Sequence, residues 1–204
     1  MPERAATEVR RQRRVLLGIA AIFLVPLSLA VYLYYGHPGL RPGETVNHGA
    51  LVQPPRPLPE LALPRFEAGD TQPNFLLHKW TFLYVGSGVC GERCRAALYE
   101  TRQVRTALDK NMDRVQRVFM ATGACCDAAF LRREHPDLIT VRATAAATPL
   151  LRMLPGVSGA KPRGTGRVYV IDPHGNLMMT YAPNAKPKGM LEDMQRLLQL
   201  SNIG

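Results

Sequence analysis

The chain has 204 residues, 46% of them hydrophobic, with 26 Lys and Arg against 16 Asp and Glu for a formal charge of +10. That length builds one ordinary domain with an appendage, not two full-sized domains. The apolar fraction excludes a mainly disordered chain, and the charge excludes an acidic, solvating one. Seventeen Pro and seventeen Gly argue against a compact helical bundle, and four Cys are too few for a disulfide-stapled miniprotein.

The first fourteen residues read as a basic tail, with Arg4, Arg10, Arg11, Arg13 and Arg14 against Glu3 and Glu8. Residues 15–35 carry no charge. At ~1.5 Å per residue such a run is about 30 Å long, the thickness of a hydrocarbon core. Pro26 is tolerated inside a membrane helix, and Tyr32, Tyr34 and Tyr35 crowd the far end, where amphipathic rings favour the interface. The arginines are expected to stay in the cytoplasm. This predicts a single-pass anchor in a bacterial inner membrane, with everything after it in the periplasm. A cleaved signal peptide is the alternative, with Ser28-Leu29-Ala30 as its small-x-small site. Either way the remainder enters an oxidising compartment. No basic stripe is interleaved with aromatics, which speaks against nucleic acid as a partner.

Residues 36–74 hold Pro38, Pro42, Pro54, Pro55, Pro57, Pro59, Pro64 and Pro73, a density that disfavours helix and central strand. They read as an extended linker that packs along the following domain, with an edge strand near Leu51 and Val52. The domain itself is expected over 75–204. Trp80-Thr81-Phe82-Leu83-Tyr84-Val85 predicts a buried strand, broken by Gly86-Ser87-Gly88. A helix is expected over 91–110, a strand over 115–120 and a short helix over 128–134 capped by Asp127. A third strand follows over 138–141, with a helical turn over 149–154. Residues 167–171 predict a strong strand that turns at Asp172-Pro173-His174-Gly175 and pairs back over 177–181. Pro187 starts a closing helix, in which Met190, Leu191, Met194, Leu197 and Leu198 fall on one face. Strand–helix–strand–helix–strand followed by a hairpin and a helix is the order of a three-layer α/β domain.

The chemistry concentrates in Cys90, Cys94, Cys125 and Cys126. Cys90 and Cys94 follow the first strong strand and open a helix, one turn apart, where ligands of an α/β sheet collect, so both sulfurs are expected to be displayed at the rim of the sheet. A helix N-terminus favours the thiolate, and Arg93 and Arg95 add positive charge. Three chemistries remain open for this pair: a dithiol/disulfide couple, a Cu(I) site of soft sulfurs, or a static bridge. Stapling is a weak motive, because so short a loop has little chain entropy to remove. Cys125 and Cys126 are expected to emerge at the same end of the sheet, either as a resolving or metal-relay pair or as two thiols in a turn. Adjacent cysteines are not expected to bridge each other, though each could reach a third thiol.

The anchor, the C-x-x-x-C loop between strand and helix, and the later Tyr169-Val170-Ile171-Asp172-Pro173-His174-Gly175 hairpin together resemble the Sco/SenC group of thioredoxin-fold proteins, which assist assembly of the copper A centre of cytochrome c oxidase. The likeness spans residues 79–200. It implies a thioredoxin-like fold and a copper-handling or thiol–disulfide role for Cys90 and Cys94. It also implies a cytochrome c oxidase subunit, or one of its assembly factors, as partner. The family's copper-binding histidine falls at Gly164 here, and no His lies between Pro136 and Pro173. His135 and His174 are the nearby substitutes, and Met178 and Met179 offer thioethers. The resemblance therefore implies a divergent relative in which thiol–disulfide chemistry survives better than copper delivery. A non-catalytic scaffold tethered beside the oxidase is the alternative from another class.

Overall fold

The structure is a computed structural model and describes residues 2–36, 47–67, 69–156 and 166–201. The chain divides into two compact units, Met1–Val46 and Asn47–Gly204. In the first, helix α1 (Pro2–Gly36) is continuous through Pro26 and reaches past the expected 15–35 into the basic tail. An 18-residue window within its stretch Arg10–Leu33 has a mean hydropathy of 2.5. The helix is long and apolar enough to cross a membrane.

The second unit is built on a six-stranded mixed sheet. Its strands are β1 (Ala50–Pro57), β2 (Trp80–Ser87), β3 (Val115–Thr122), β4 (Leu138–Arg142), β5 (Val168–Ile171) and β6 (Asn176–Tyr181), in the order β1-β6-β5-β2-β3-β4. β2, β3 and β4 run parallel, whereas β5, β6 and β1 pair antiparallel. The helices are α2 (Glu92–Ala107), α3 (Ala128–Glu134), α4 (Thr148–Met153) and α5 (Pro187–Leu200). Side chains alternate across the sheet. Phe82 and Tyr84 join residues of α2, α3 and α5 on one face, while Leu83 and Val85 join Leu150 and Leu151 of α4 on the other. The three-layer α/β order read from the sequence is the one observed.

The edge strand expected near Leu51 and Val52 within the Pro-rich segment is present as β1. The compact unit begins at Asn47 rather than at 75, because β1 pairs with β6 through Ala50↔Thr180 and Pro57↔Asn176 with a shift between Leu51 and Arg56. Prolines are tolerated there because β1 is an edge strand with one unpaired side. Asp193 of α5, only 1% exposed, fastens the entry to the strand. Its carboxylate accepts from the backbone N–H groups of His48 and Gly49, both at 2.9 Å to Oδ2, and from the Tyr181 hydroxyl at 3.0 Å. Burial, with Asp193 adding to it, pushes the Tyr181 phenol well above its ordinary value. Beyond β1, Leu63 and Leu76 fill the α4 face of the sheet.

Candidate functional site

β2 and β3 are paired in parallel register up to Ser87↔Thr122, so their loops leave the sheet side by side. The β2 loop turns sharply: the Cys90 N–H donates to Ser87 O at 3.0 Å, and Cys90 sits in the left-handed region at φ 47°. A non-glycine residue there costs about 1–2 kcal/mol, a strain that collects at functional sites. α2 then starts with Glu92, which places Cys94 in its first turn. Cys90 and Cys94 are joined as a disulfide with Cα atoms 5.0 Å apart.

The β3 loop carries Cys125 and Cys126, which are paired with each other across a cis peptide bond. The expectation that adjacent cysteines would not bridge is thereby corrected, and none of the four thiols is free. Asp127 then caps α3 as expected, its side chain accepting from Phe130 N–H at 3.0 Å.

The two loops touch. Gly88 N–H donates to Thr122 O at 2.9 Å. A Cβ on Gly88 would come within 2.7 Å of the Cys125 Cα, so only glycine allows this approach. Arg95 spans the gap. Its Nε donates to Cys90 O at 3.2 Å, its Nη2 reaches Asp127 at 3.5 Å, and its guanidinium lies 4.2 Å over the Phe130 ring. Arg93 is exposed, and its charge partly opposes the rise that burial imposes on the Tyr84 phenol.

The exposure of the sulfurs departs from expectation. The cysteines do lie beyond the carboxyl ends of the strands, but Cys90 and Cys94 are only 3% and 5% exposed, within the apolar cluster beneath α2. Cys125 and Cys126 are half-buried and pack against the same cluster. The inner pair is covered because Cys94 lies on the core face of α2 with Ala97 and Leu98.

The histidines stay away from the sulfurs. His174 is exposed in the β5–β6 turn, at the opposite end of the sheet because Ile171 pairs with Thr81. His135 is 4% exposed and contacts Arg117, which lies five residues before Thr122 along β3, about 17 Å at strand rise. Met179 is buried in the core cluster, and Met178 packs against it. Gly164 lies outside the described residues.

A family model described as transmembrane-like, thioredoxin-like, C-terminal domain matches residues 80–201. The chain belongs to this family. Its fold is shared with solved Sco/SenC proteins. Sco1 from Thermus thermophilus is 18% identical with a TM-score of 0.61, covering 77% of this chain and 99% of that one. Copper-bound ScoI from Bradyrhizobium japonicum is 19% identical with a TM-score of 0.54, covering 69% and 98%. A thioredoxin-family thiol:disulfide interchange protein from Chlorobium tepidum is 16% identical, also at 0.54, covering 70% and 95%. No curated protein matches the sequence.

Copper fits the described donors poorly. No group of three or more His, Cys, Asp or Glu among the described residues could hold a metal ion. The inner sulfurs are spent on a disulfide, and their reduction would supply two soft donors with no described imidazole beside them.

Sequence reasoning missed Arg95 as the bracket between the loops and Gly88 as their contact. Only the loop-to-loop pairing of β2 and β3 makes either visible. It also missed Arg117, although a charge inside the apolar run Val115–Thr122 was a legible signal.

Proposed function

We propose that the protein is a membrane-anchored thiol–disulfide protein whose domain lies in the periplasm and whose N-terminus lies in the cytoplasm. Its Cys90–Cys94 couple exchanges with paired cysteines of a copper-binding cytochrome c oxidase subunit or of an assembly factor. The observation that carries this reading is the disulfide between a strand end and the first turn of a helix in a thioredoxin-like fold. The burial of Cys90 belongs to the disulfide form; in the reduced form, freed from that bond, Cys90 attacks a client disulfide, one client cysteine leaves as thiolate, and Cys94 resolves the mixed disulfide. The client becomes a dithiol and the inner disulfide reforms, so the electrons balance. The α2 N-terminus favours the Cys94 thiolate, and Arg93 and Arg95 add charge of the same effect. Copper enters as the client's cargo. The surface beside the site suits a client: Val89 and Tyr99 are 71% and 57% exposed, next to Arg93 and Arg95.

The test replaces both inner cysteines in the producing cell. A Cys90→Ser, Cys94→Ser strain is expected to lose copper-dependent oxidase activity while the protein remains at wild-type abundance in the membrane fraction. Normal oxidase activity would defeat the redox reading and leave a scaffold.

A further inference from the structure

Two disulfides lie on adjacent loops and differ in exposure. The inner one is nearly closed to solvent, at 3% and 5% for Cys90 and Cys94, while both residues of the outer one are half-exposed. The loops meet backbone to backbone at Gly88 and Cys125, and Arg95 ties the Cys90 carbonyl to the carboxylate of Asp127, the residue after Cys126. A protein-sized thiol approaching from solvent reaches the outer pair more readily, because exchange requires access to a sulfur. We propose that Cys125–Cys126 is the outer couple of a two-couple relay, through which the buried Cys90–Cys94 couple is loaded with electrons by an exported dithiol protein of the thioredoxin type. This rests on the proposed redox role of the inner pair and adds the route by which electrons reach it.

The steps balance. A reductant thiolate attacks one outer sulfur and the other outer cysteine leaves. The second reductant thiol resolves the mixed disulfide, giving an oxidised reductant and an outer dithiol. An outer thiolate then attacks the inner disulfide, one inner cysteine leaves, and the second outer thiol resolves that bond. Two electrons and two protons have moved inward, and the outer disulfide is restored.

The test uses the full chain in detergent micelles with reduced thioredoxin as the probe. Alkylation and peptide mass analysis follow the Cys90 and Cys94 thiols over time. Cys125→Ala, Cys126→Ala is expected to slow their appearance by at least about tenfold. In a second arm, the variants Cys94→Ser, Cys126→Ser and Cys94→Ser, Cys125→Ser each keep Cys90 with one outer cysteine. Diamide is expected to close an intramolecular bridge from Cys90 to Cys125 or to Cys126. An unchanged rate, or only intermolecular dimers and free thiols in both diamide reactions, overturns the relay. Excess dithiothreitol separates the two ideas. If the wild-type inner pair stays oxidised even then, the proposed function itself fails; if it is reduced but the rate ignores the outer pair, only the relay does.

Discussion

The two ends of the parallel strands are built differently. At the carboxyl end, polar contacts are few: a left-handed Cys90, a glycine contact and one half-exposed arginine hold two loops together over four sulfurs. At the amino end, Arg117 is 1% exposed and is enclosed by partners. It meets both oxygens of Asp137 at 3.1 Å and Thr101 Oγ1 at 3.3 Å, and it also donates to the Leu98 carbonyl and to His135 Nδ1. Burial pulls the guanidinium below the ordinary arginine value, with Asp137 opposing that pull. The fold places stability at the amino end and reactive groups at the carboxyl end. Charge is buried where every donor has a partner, and the sulfurs gather where the backbone is strained.

Breaking the amino end gives the larger stability effect. Arg117→Met leaves Thr101, the Leu98 carbonyl and His135 without their shared partner. It is expected to cost about 3 kcal/mol, read as a lower denaturation midpoint at unchanged slope. The state of the sulfurs should be unaffected. A loss below about 1 kcal/mol would show that the buried guanidinium does not hold that end together.

A smaller effect sharpens the contrast through pH. Arginine has only donors, so His135 Nδ1 must accept from Arg117, and the ring stays neutral. Burial first, then the charge of Arg117, lowers the His135 pKa from 6.5 to about 4. The unfolded chain binds this proton in the interval and the folded chain does not. The contribution is therefore complete above 6.5 and is lost as pH falls to about 4. The wild type is expected to lose about 2 kcal/mol more than His135→Gln across that interval, measured by denaturant unfolding. Parallel pH profiles of the two proteins would contradict it.

The legible part of the fold follows from local signals. Trp80–Ser87 announces itself through aromatic and β-branched residues, and Asp127 and Pro187 mark helix starts that the structure keeps. β1 was legible as an edge strand near Leu51 and Val52 but not in its extent to Pro57, because its prolines suppress strand propensity, and its place is secured by Asp193, distant in sequence. The cysteines were legible as a set and by their end of the sheet. Cys94 shares a helix face with Ala97, Leu98 and Val104 by spacing alone, so its core-facing position was legible, whereas the burial of Cys90 follows from its bond to Cys94. The pairing of Cys125 with Cys126 was hidden, since spacing alone cannot assign partners.

The proposed role requires Cys90 and Cys94 to be a working redox couple in the folded protein. It is tested most directly by equilibrating the full chain in detergent with glutathione buffers of graded potential and counting alkylated Cys90 and Cys94 by mass. The two thiols are expected to appear together, with a two-electron dependence, while the fold stays intact by circular dichroism. A pair that remains oxidised across the whole range, or opens only when the domain unfolds, would contradict it.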